Sequence, residues 1–116
     1  MSTESEFIAA ADSTLATIGL ALDAALETGN ADVDWSLNDG ILEIECADGS
    51  KIIVNRHVPN RELWVAARSG GFHFRPDQGL WRDTRSGDDL ATLLARVLRA
   101  QGGLAITLPT LAAPTD

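Results

Sequence analysis

The sequence has a single cysteine, Cys46, and no apolar run that approaches the roughly 18 residues needed to span a membrane. One cysteine excludes an internal disulfide and a cysteine metal cluster within the chain, which suits a reducing cytoplasm. The N-terminus carries Glu4 and Glu6 instead of the basic residues of a targeting segment. We therefore expect a cytoplasmic protein with no membrane partner.

Positive charge is also scarce. The 116 residues include 9 Lys and Arg against 17 Asp and Glu, which gives a formal net charge of −8. Binding of nucleic acid requires clustered Lys and Arg to release counterions from the phosphates, so this class of partner is excluded. Cations and basic protein surfaces are the natural partners of such a charge. The length indicates a single hydrophobic core.

Motifs for catalysis are nearly absent. There is no glycine-rich phosphate loop, and the two histidines, His57 and His73, have no zinc-ligand spacing with Cys46. A small hydrolase built on Cys46 and His73 is one alternative. Cys46 occupies a core-facing strand position, however, where a buried thiol is usually inert. We expect no catalytic residues.

What the sequence does contain is a clear helical period at its N-terminal end. Apolar residues recur every three or four positions from Ser5 to Glu27, at Phe7, Ala11, Leu15, Ile18, Leu22 and Leu26. Candidate caps are Ser2, Thr3 and Ser5, and Thr28-Gly29-Asn30 supplies the stop. A neighbouring, more exposed sector of this helix holds Asp12, Gly19, Leu20, Asp23 and Glu27.

The period then changes to the alternation typical of strands, from Val33 to about Arg82, with short turns between apolar runs. A second amphipathic helix follows, with Ser86 as its predicted cap. These elements predict an α+β two-layer sandwich, in which the N- and C-terminal helices pack on one face of a five- to six-stranded antiparallel sheet.

Residues 1–103 form the predicted domain, and 104–116 form a C-terminal extension. Within it, Leu104–Leu108 either adds a strand or lies along the helices, and Pro109–Asp116 is expected to be a loose tail.

Carboxylates provide the first candidate site. Asp23 and Glu27 lie one helical turn apart, and Asp32 and Asp34 alternate onto one side of the first strand. If the helix end and this edge strand are adjacent, the four acids converge, with Asp12 and Glu6 further along the helix. Hard cations such as Fe²⁺, Fe³⁺, Mn²⁺ and Ca²⁺ prefer these oxygen ligands. The alternative is a solvated acidic face, which most charge runs are.

The second candidate site lies on the sheet. Alternation that turns Leu63 and Val65 toward the helices sends Trp64 outward, beside Asn55 and Arg68. Trp and Arg are typical of interface hot spots, so this face is a candidate for partner binding. The alternatives are that a tail or loop covers Trp64 or that it faces the core.

Several runs closely resemble the bacterial frataxin-like proteins. They are the run from Gly49 to Arg56 (GSKIIVNR), Pro59, Leu63-Trp64-Val65-Ala66, and the run from Ser69 to Phe74 (SGGFHF). The resemblance extends from Glu6 to about Gly102. It implies a frataxin-like α/β sandwich that binds iron, Fe²⁺ or Fe³⁺, weakly through an acidic ridge, where other divalent cations can substitute.

The resemblance also implies a function and partners. The expected role is that of a regulator, and a candidate iron donor, in iron–sulfur cluster assembly, in contact with a cysteine desulfurase and a scaffold protein. Ferroxidase activity remains open, and the metal-free protein is expected to be a monomer. Asp12, Asp23, Asp32 and Asp34 correspond to ridge acids, with Glu27 a looser match. Asn55 and Trp64 correspond to the partner face, to which we add the neighbouring Arg56.

This chain also departs from the family pattern. Gly19 and Leu20 replace an acidic pair in mid-helix, Ile8 replaces an early histidine, and His57 replaces a glutamine. We therefore predict weaker iron binding, concentrated near Asp23, Glu27, Asp32 and Asp34. The alternative function is a metal-independent interaction module that uses the Trp64 face and an acidic rim.

Overall fold

The computed structural model describes residues 3–115, in the order helix, six strands, helix. The helices are α1 (Glu4–Thr28) and α2 (Leu90–Gly102). The strands are β1 (Asp34–Asn38), β2 (Ile41–Glu45), β3 (Lys51–His57), β4 (Glu62–Ala67), β5 (Gly70–Asp77) and β6 (Leu80–Asp83). Each strand pairs antiparallel with the next, so that the sheet order is the chain order. The predicted α+β sandwich is confirmed.

Helix α1 begins at a reciprocal cap. The Thr3 hydroxyl accepts a hydrogen bond from the Glu6 amide at 3.1 Å, and the Glu6 carboxylate accepts one from the Thr3 amide at 3.0 Å. Of the predicted caps, Thr3 is therefore the one used. Ser5 lies inside the first turn, and Ser2 lies outside the described residues.

The same helix has the length and mean hydropathy of a membrane span, which sequence analysis did not anticipate. Its apolar side is nevertheless buried in this fold, at Phe7, Ala11, Leu15, Ile18 and Leu22. Because these side chains fill the space against the sheet, α1 is a core helix.

Strand alternation gives the sheet two distinct faces. The inner face is fully or almost fully buried, at Leu42, Ile44, Ile52, Val54, Leu63, Val65, Phe74 and Trp81. Phe72 is half-buried and packs against this core. The outer face carries no helix within the described residues, and its side chains lie along the cross-strand rows set by the register.

The predicted cap of α2 is wrong. Asp89 caps the helix, since its carboxylate accepts hydrogen bonds from the Thr92 amide at 3.3 Å and the Thr92 hydroxyl at 2.7 Å. The Ser86 hydroxyl instead donates to Asp83 at 2.8 Å, within the turn that precedes the helix. Both residues are good helix caps, and the turn chemistry around Asp83 decides between them.

The C-terminal extension forms no strand at 104–108, and Leu104 is buried there instead. The prediction of a loose tail beyond it is also wrong for 109–115. Leu111 and Ala113 are buried, and the Ala113 amide donates to the Gly79 carbonyl at 2.9 Å. The segment thus covers the edge of β6, where Leu80 bridges Ala112. Asp116 lies outside the described residues.

Candidate functional site

Six acidic residues on and after α1 form what we call the acidic ridge: Glu6, Asp12, Asp23, Glu27, Asp32 and Asp34. All six are exposed. α1 ends at Thr28 and β1 begins at Asp34, so that the last ridge acids follow one another along the link between the two elements. This placement agrees with the sequence-based expectation of a carboxylate-rich surface.

Three ridge acids already accept hydrogen bonds from other residues of the chain. Glu6 closes the helix cap, and its hydrogen bonds with Thr3 lower its pKa. Asp12 accepts a hydrogen bond from Arg56 at 2.6 Å. Asp23 accepts one from the indole Nε1 of Trp35 at 2.8 Å. These carboxylates are held by structural contacts, which compete with any cation for their oxygens.

The other three ridge acids are unengaged. Within residues 3–115, the side chains of Glu27, Asp32 and Asp34 form no hydrogen bond or ion pair. No three Asp, Glu, His or Cys side chains in that range stand close enough together to hold one metal ion. A cation at this surface would therefore keep most of its water ligands.

A tryptophan explains the interruption of the ridge at Gly19. This residue was predicted to lie in the exposed sector of α1, but it is buried beneath the Trp35 indole. A Cβ at Gly19 would come within 2.7 Å of the Trp35 ring, so a larger residue requires the ring to shift. Leu20, by contrast, is 71% exposed, as predicted.

The outer sheet face carries three stacked rings. Trp64 on β4 lies between His57 of β3 and His73 of β5, with ring centroids 3.7 and 4.3 Å apart and interplanar angles of 9° on both sides. Trp64 is half-buried by these two rings. The indole therefore faces outward as predicted, but histidines cover both of its π faces.

A buried carboxylate contacts the edge of this stack. Glu62 is 2% exposed and accepts hydrogen bonds from Trp64 Nε1 at 2.8 Å and from Arg75 at 2.7 and 2.9 Å. Burial raises the pKa of Glu62, but the hydrogen bonds from Trp64 and Arg75 and the nearby positive charge outweigh it, so the pKa lies below its ordinary value. Glu62 is thus held as a carboxylate at the edge of the Trp64 indole.

The structure separates the four predicted partner residues. Asn55 and Trp64 are direct cross-strand partners on the outer face. Arg56 lies on the other face of β3, where it contacts Asp12 of α1. Arg68 follows β4, where it pairs with Asp48 and its amide donates to Gln101 at 2.9 Å. The outer face therefore contains Asn55 and Trp64, but not Arg56.

Sequence reasoning missed four residues of this face: His57, Glu62, His73 and Arg75. Alternation alone places His57 on the same side of β3 as Asn55, and Glu62 on the same side of β4 as Trp64. The cross-strand register that brings the rings together depends on the turns, and no residue pattern gave that register in advance.

The hydrolase hypothesis is wrong. Cys46 is 4% exposed on the inner side of the sheet, and His73 lies on the outer face with half of its side chain exposed. The sheet separates the thiol from the imidazole, so the two cannot act as a nucleophile and its base.

Comparison with known proteins adds a decisive observation. A family model described as a frataxin-like domain matches residues 1–104. This chain belongs to the frataxin-like family. Its relatives include proteins named "Iron-sulfur cluster assembly protein CyaY". That of Dechloromonas aromatica is 54% identical over 106 residues, which span 90% of this chain and 97% of the relative. That of Cupriavidus metallidurans is 46% identical over 105 residues, which span 90% and 95%.

Solved structures share this fold. The frataxin from Psychromonas ingrahamii superposes with a TM-score of 0.82 at 31% identity, covering 91% of this frataxin-like chain and 97% of that one. Yeast frataxin superposes with a TM-score of 0.67 at 22% identity, over 83% and 80% of the two chains. The likeness to yeast frataxin shows the shared fold alone.

Proposed function

We propose that this frataxin-like protein is an accessory protein of iron–sulfur cluster assembly that binds iron weakly through surface carboxylates. The observation that carries this proposal is the high identity, over nine-tenths of the chain, to proteins named for that process. Its role is that of a cytoplasmic accessory protein, not of an enzyme, and no catalytic residue is assigned.

Iron is cargo in this proposal, and its binding site is the C-terminal end of the acidic ridge. Glu27, Asp32 and Asp34 are exposed and unengaged, and Asp23, close to them in sequence, accepts an internal hydrogen bond at only one of its oxygens. Carboxylate oxygens suit Fe²⁺ and Fe³⁺ as well as other divalent cations. Since these acids form no cage, binding is weak and readily reversed.

The partners in this proposal are a cysteine desulfurase and the iron–sulfur scaffold protein. The acidic ridge suits a basic surface, because complementary charge speeds and orients docking. The outer face offers Asn55 and the edge of Trp64, which are polar and aromatic groups of the kind that anchor interfaces. Arg68, exposed beside its Asp48 partner, adds a charge at the rim.

A second candidate function has its own support. Glu6, Asp12 and Asp23 are occupied by Thr3, Arg56 and Trp35. Because half of the ridge acids already form contacts within the chain, fewer oxygens are available for iron. This favours a metal-independent interaction module, in which the same surface recognises a basic partner without iron.

Capture by the immobilised desulfurase of the same organism tests both candidates. We expect Trp64→Ala and the triple variant Glu27→Gln/Asp32→Asn/Asp34→Asn each to weaken capture, whereas Asp77→Asn, an exposed acid on β5, leaves it unchanged. Capture that is equal with Fe²⁺ and with a chelator supports the metal-independent module. Full capture by both Trp64→Ala and the triple variant would contradict both proposed surfaces.

A further inference from the structure

The stacked rings of the outer face combine an indole with two side chains that gain charge near neutral pH. Histidine is the residue that ordinarily changes its charge between about pH 5 and 8. His57 and His73 lie parallel to the two faces of Trp64, at 3.7 and 4.3 Å. At these distances, protonation of either imidazole places a cation directly over the indole face.

We propose that His57 and His73 form a proton-operated clamp on Trp64, which tightens when an imidazole is protonated and withdraws the indole faces from solvent. Two contacts would act on an imidazolium at these positions. The indole π system attracts the imidazolium on either side, and His73 Nδ1 is 3.9 Å from the buried carboxylate of Glu62.

Glu62 is well suited to hold the clamp. Its carboxylate is buried, and it donates no proton, since Arg75 and Trp64 keep it ionised. Its pKa is lowered by these contacts, so its charge stays constant while histidines titrate. The carboxylate also binds Trp64 Nε1 directly, which fixes the indole in the plane that both imidazoles match.

Positively charged side chains also lie around the stack. They are Arg75 on β5, Arg82 opposite it on β6, Arg61 in the turn after β3, and Arg85, which donates to the Gly71 carbonyl. Arg75 is neutralised by its two hydrogen bonds to Glu62, and Arg82 lies 3.8 Å from Asp77. Two imidazolium rings across one indole would also repel each other.

The consequence for binding rests on the proposed docking of a partner on the outer face. A tightened clamp leaves only the edge of Trp64 accessible, whereas neutral imidazoles can move aside and expose its π faces. Acidification would therefore weaken any contact that stacks on Trp64. The clamp itself requires no partner and is tested on the isolated chain.

The test follows the Trp64 indole resonance of the full chain by ¹H–¹⁵N NMR from pH 8 to 5, with a neutral nitroxide as a probe of ring exposure. We expect the Trp64 signal to titrate together with the His57 and His73 imidazole protons, and its relaxation by the nitroxide to decrease at low pH. The indoles of Trp35 and Trp81 serve as internal controls, since neither stacks on a histidine.

Each histidine is then removed in turn. His57→Gln and His73→Gln should each reduce the pH-dependent shift of Trp64, and the double variant should abolish it. A Trp64 signal in the native chain that stays constant from pH 8 to 5 would overturn the clamp, as would nitroxide relaxation that rises on acidification. Because no partner is present, such a result leaves the desulfurase capture test unaffected.

Discussion

The indole of Trp35 on β1 lies directly against the backbone of Gly19 on α1. A Cβ at position 19 would be 2.7 Å from Trp35 Cη2, whereas carbon atoms normally meet at about 3.5–4.0 Å. One helical turn further on, Asp23 accepts a hydrogen bond from Trp35 Nε1 at 2.8 Å. Trp35 thus joins the edge strand to the helix through a glycine and an acid, in the middle of the acidic ridge.

This contact predicts that Gly19→Ala destabilises the protein, although alanine is the better helix former. The higher helix propensity of alanine contributes about 1 kcal/mol in its favour. Overpacking against the rigid Trp35 ring costs about 1–3 kcal/mol. We expect the free energy of unfolding, measured by urea denaturation, to fall by up to about 2 kcal/mol.

A Trp35→Val background provides the control for this prediction. Without the indole, Gly19→Ala should stabilise the chain by about 1 kcal/mol, because only the propensity term remains. If Gly19→Ala has the same effect in both backgrounds, the glycine is not required by the tryptophan.

Truncation after Gly103 should cost a few kcal/mol of stability. The removed segment buries Leu104 and Leu111 and half-buries Ile106 and Leu108, and burial of each large aliphatic side chain contributes about 1.5–3 kcal/mol. Truncation after Ala113 is the control, since it keeps every one of these contacts and should leave the melting temperature nearly unchanged. If a chain ending at Gly103 has the same melting temperature as the full chain, the segment does not contribute to stability.

Local patterns predicted the fold because each apolar position agreed with its period. Phe7, Leu15 and Leu22 share one side of α1, and Ile52 and Val54 share one face of β3. The two errors in the predicted fold, the cap of α2 and the loose C-terminal tail, concern places where short-range signals compete. Ser86 and Asp89 are both good caps, and the small and Pro-rich residues after Leu108 resemble a tail until their apolar members meet the edge of β6.

The candidate site was less predictable, since it depends on contacts between residues far apart in sequence. The period of α1 placed Gly19 in the exposed sector, and only the packing of Trp35 shows that this position is covered. Likewise, His57 and His73 lie on different strands, and they meet across Trp64 only through the register of three strands. Charge pattern predicted the ridge, but not which acids it leaves unengaged.

Glu62 should make stability depend on pH in acid. Its pKa in the folded protein lies below the ordinary value of 4.5, so its contribution is complete above that value and is lost as pH falls through the folded pKa. We expect Glu62→Gln to lower the free energy of unfolding by about 1–3 kcal/mol at pH 7. The difference from the native chain should shrink below about pH 4.5. Urea denaturation of both chains at a series of pH values measures this difference in the free energy of unfolding.

The control for Glu62 is Asp77→Asn on the neighbouring strand, which removes an exposed carboxylate. Exposed ion pairs contribute about 0–1 kcal/mol, so this variant should stay close to the native chain at every pH. A difference between the native chain and Glu62→Gln that persists unchanged at pH 3 would contradict the role of the ionised carboxylate.

Mn²⁺ should reveal where the ridge binds cations. Because Glu27, Asp32 and Asp34 are the unengaged ridge acids within the described residues, paramagnetic broadening of amide NMR signals should begin around them and spare the start of α1. Asp32→Asn/Asp34→Asn should reduce this broadening strongly, and Asp77→Asn should not. Uniform broadening along α1, or none near Glu27, would place the cation elsewhere.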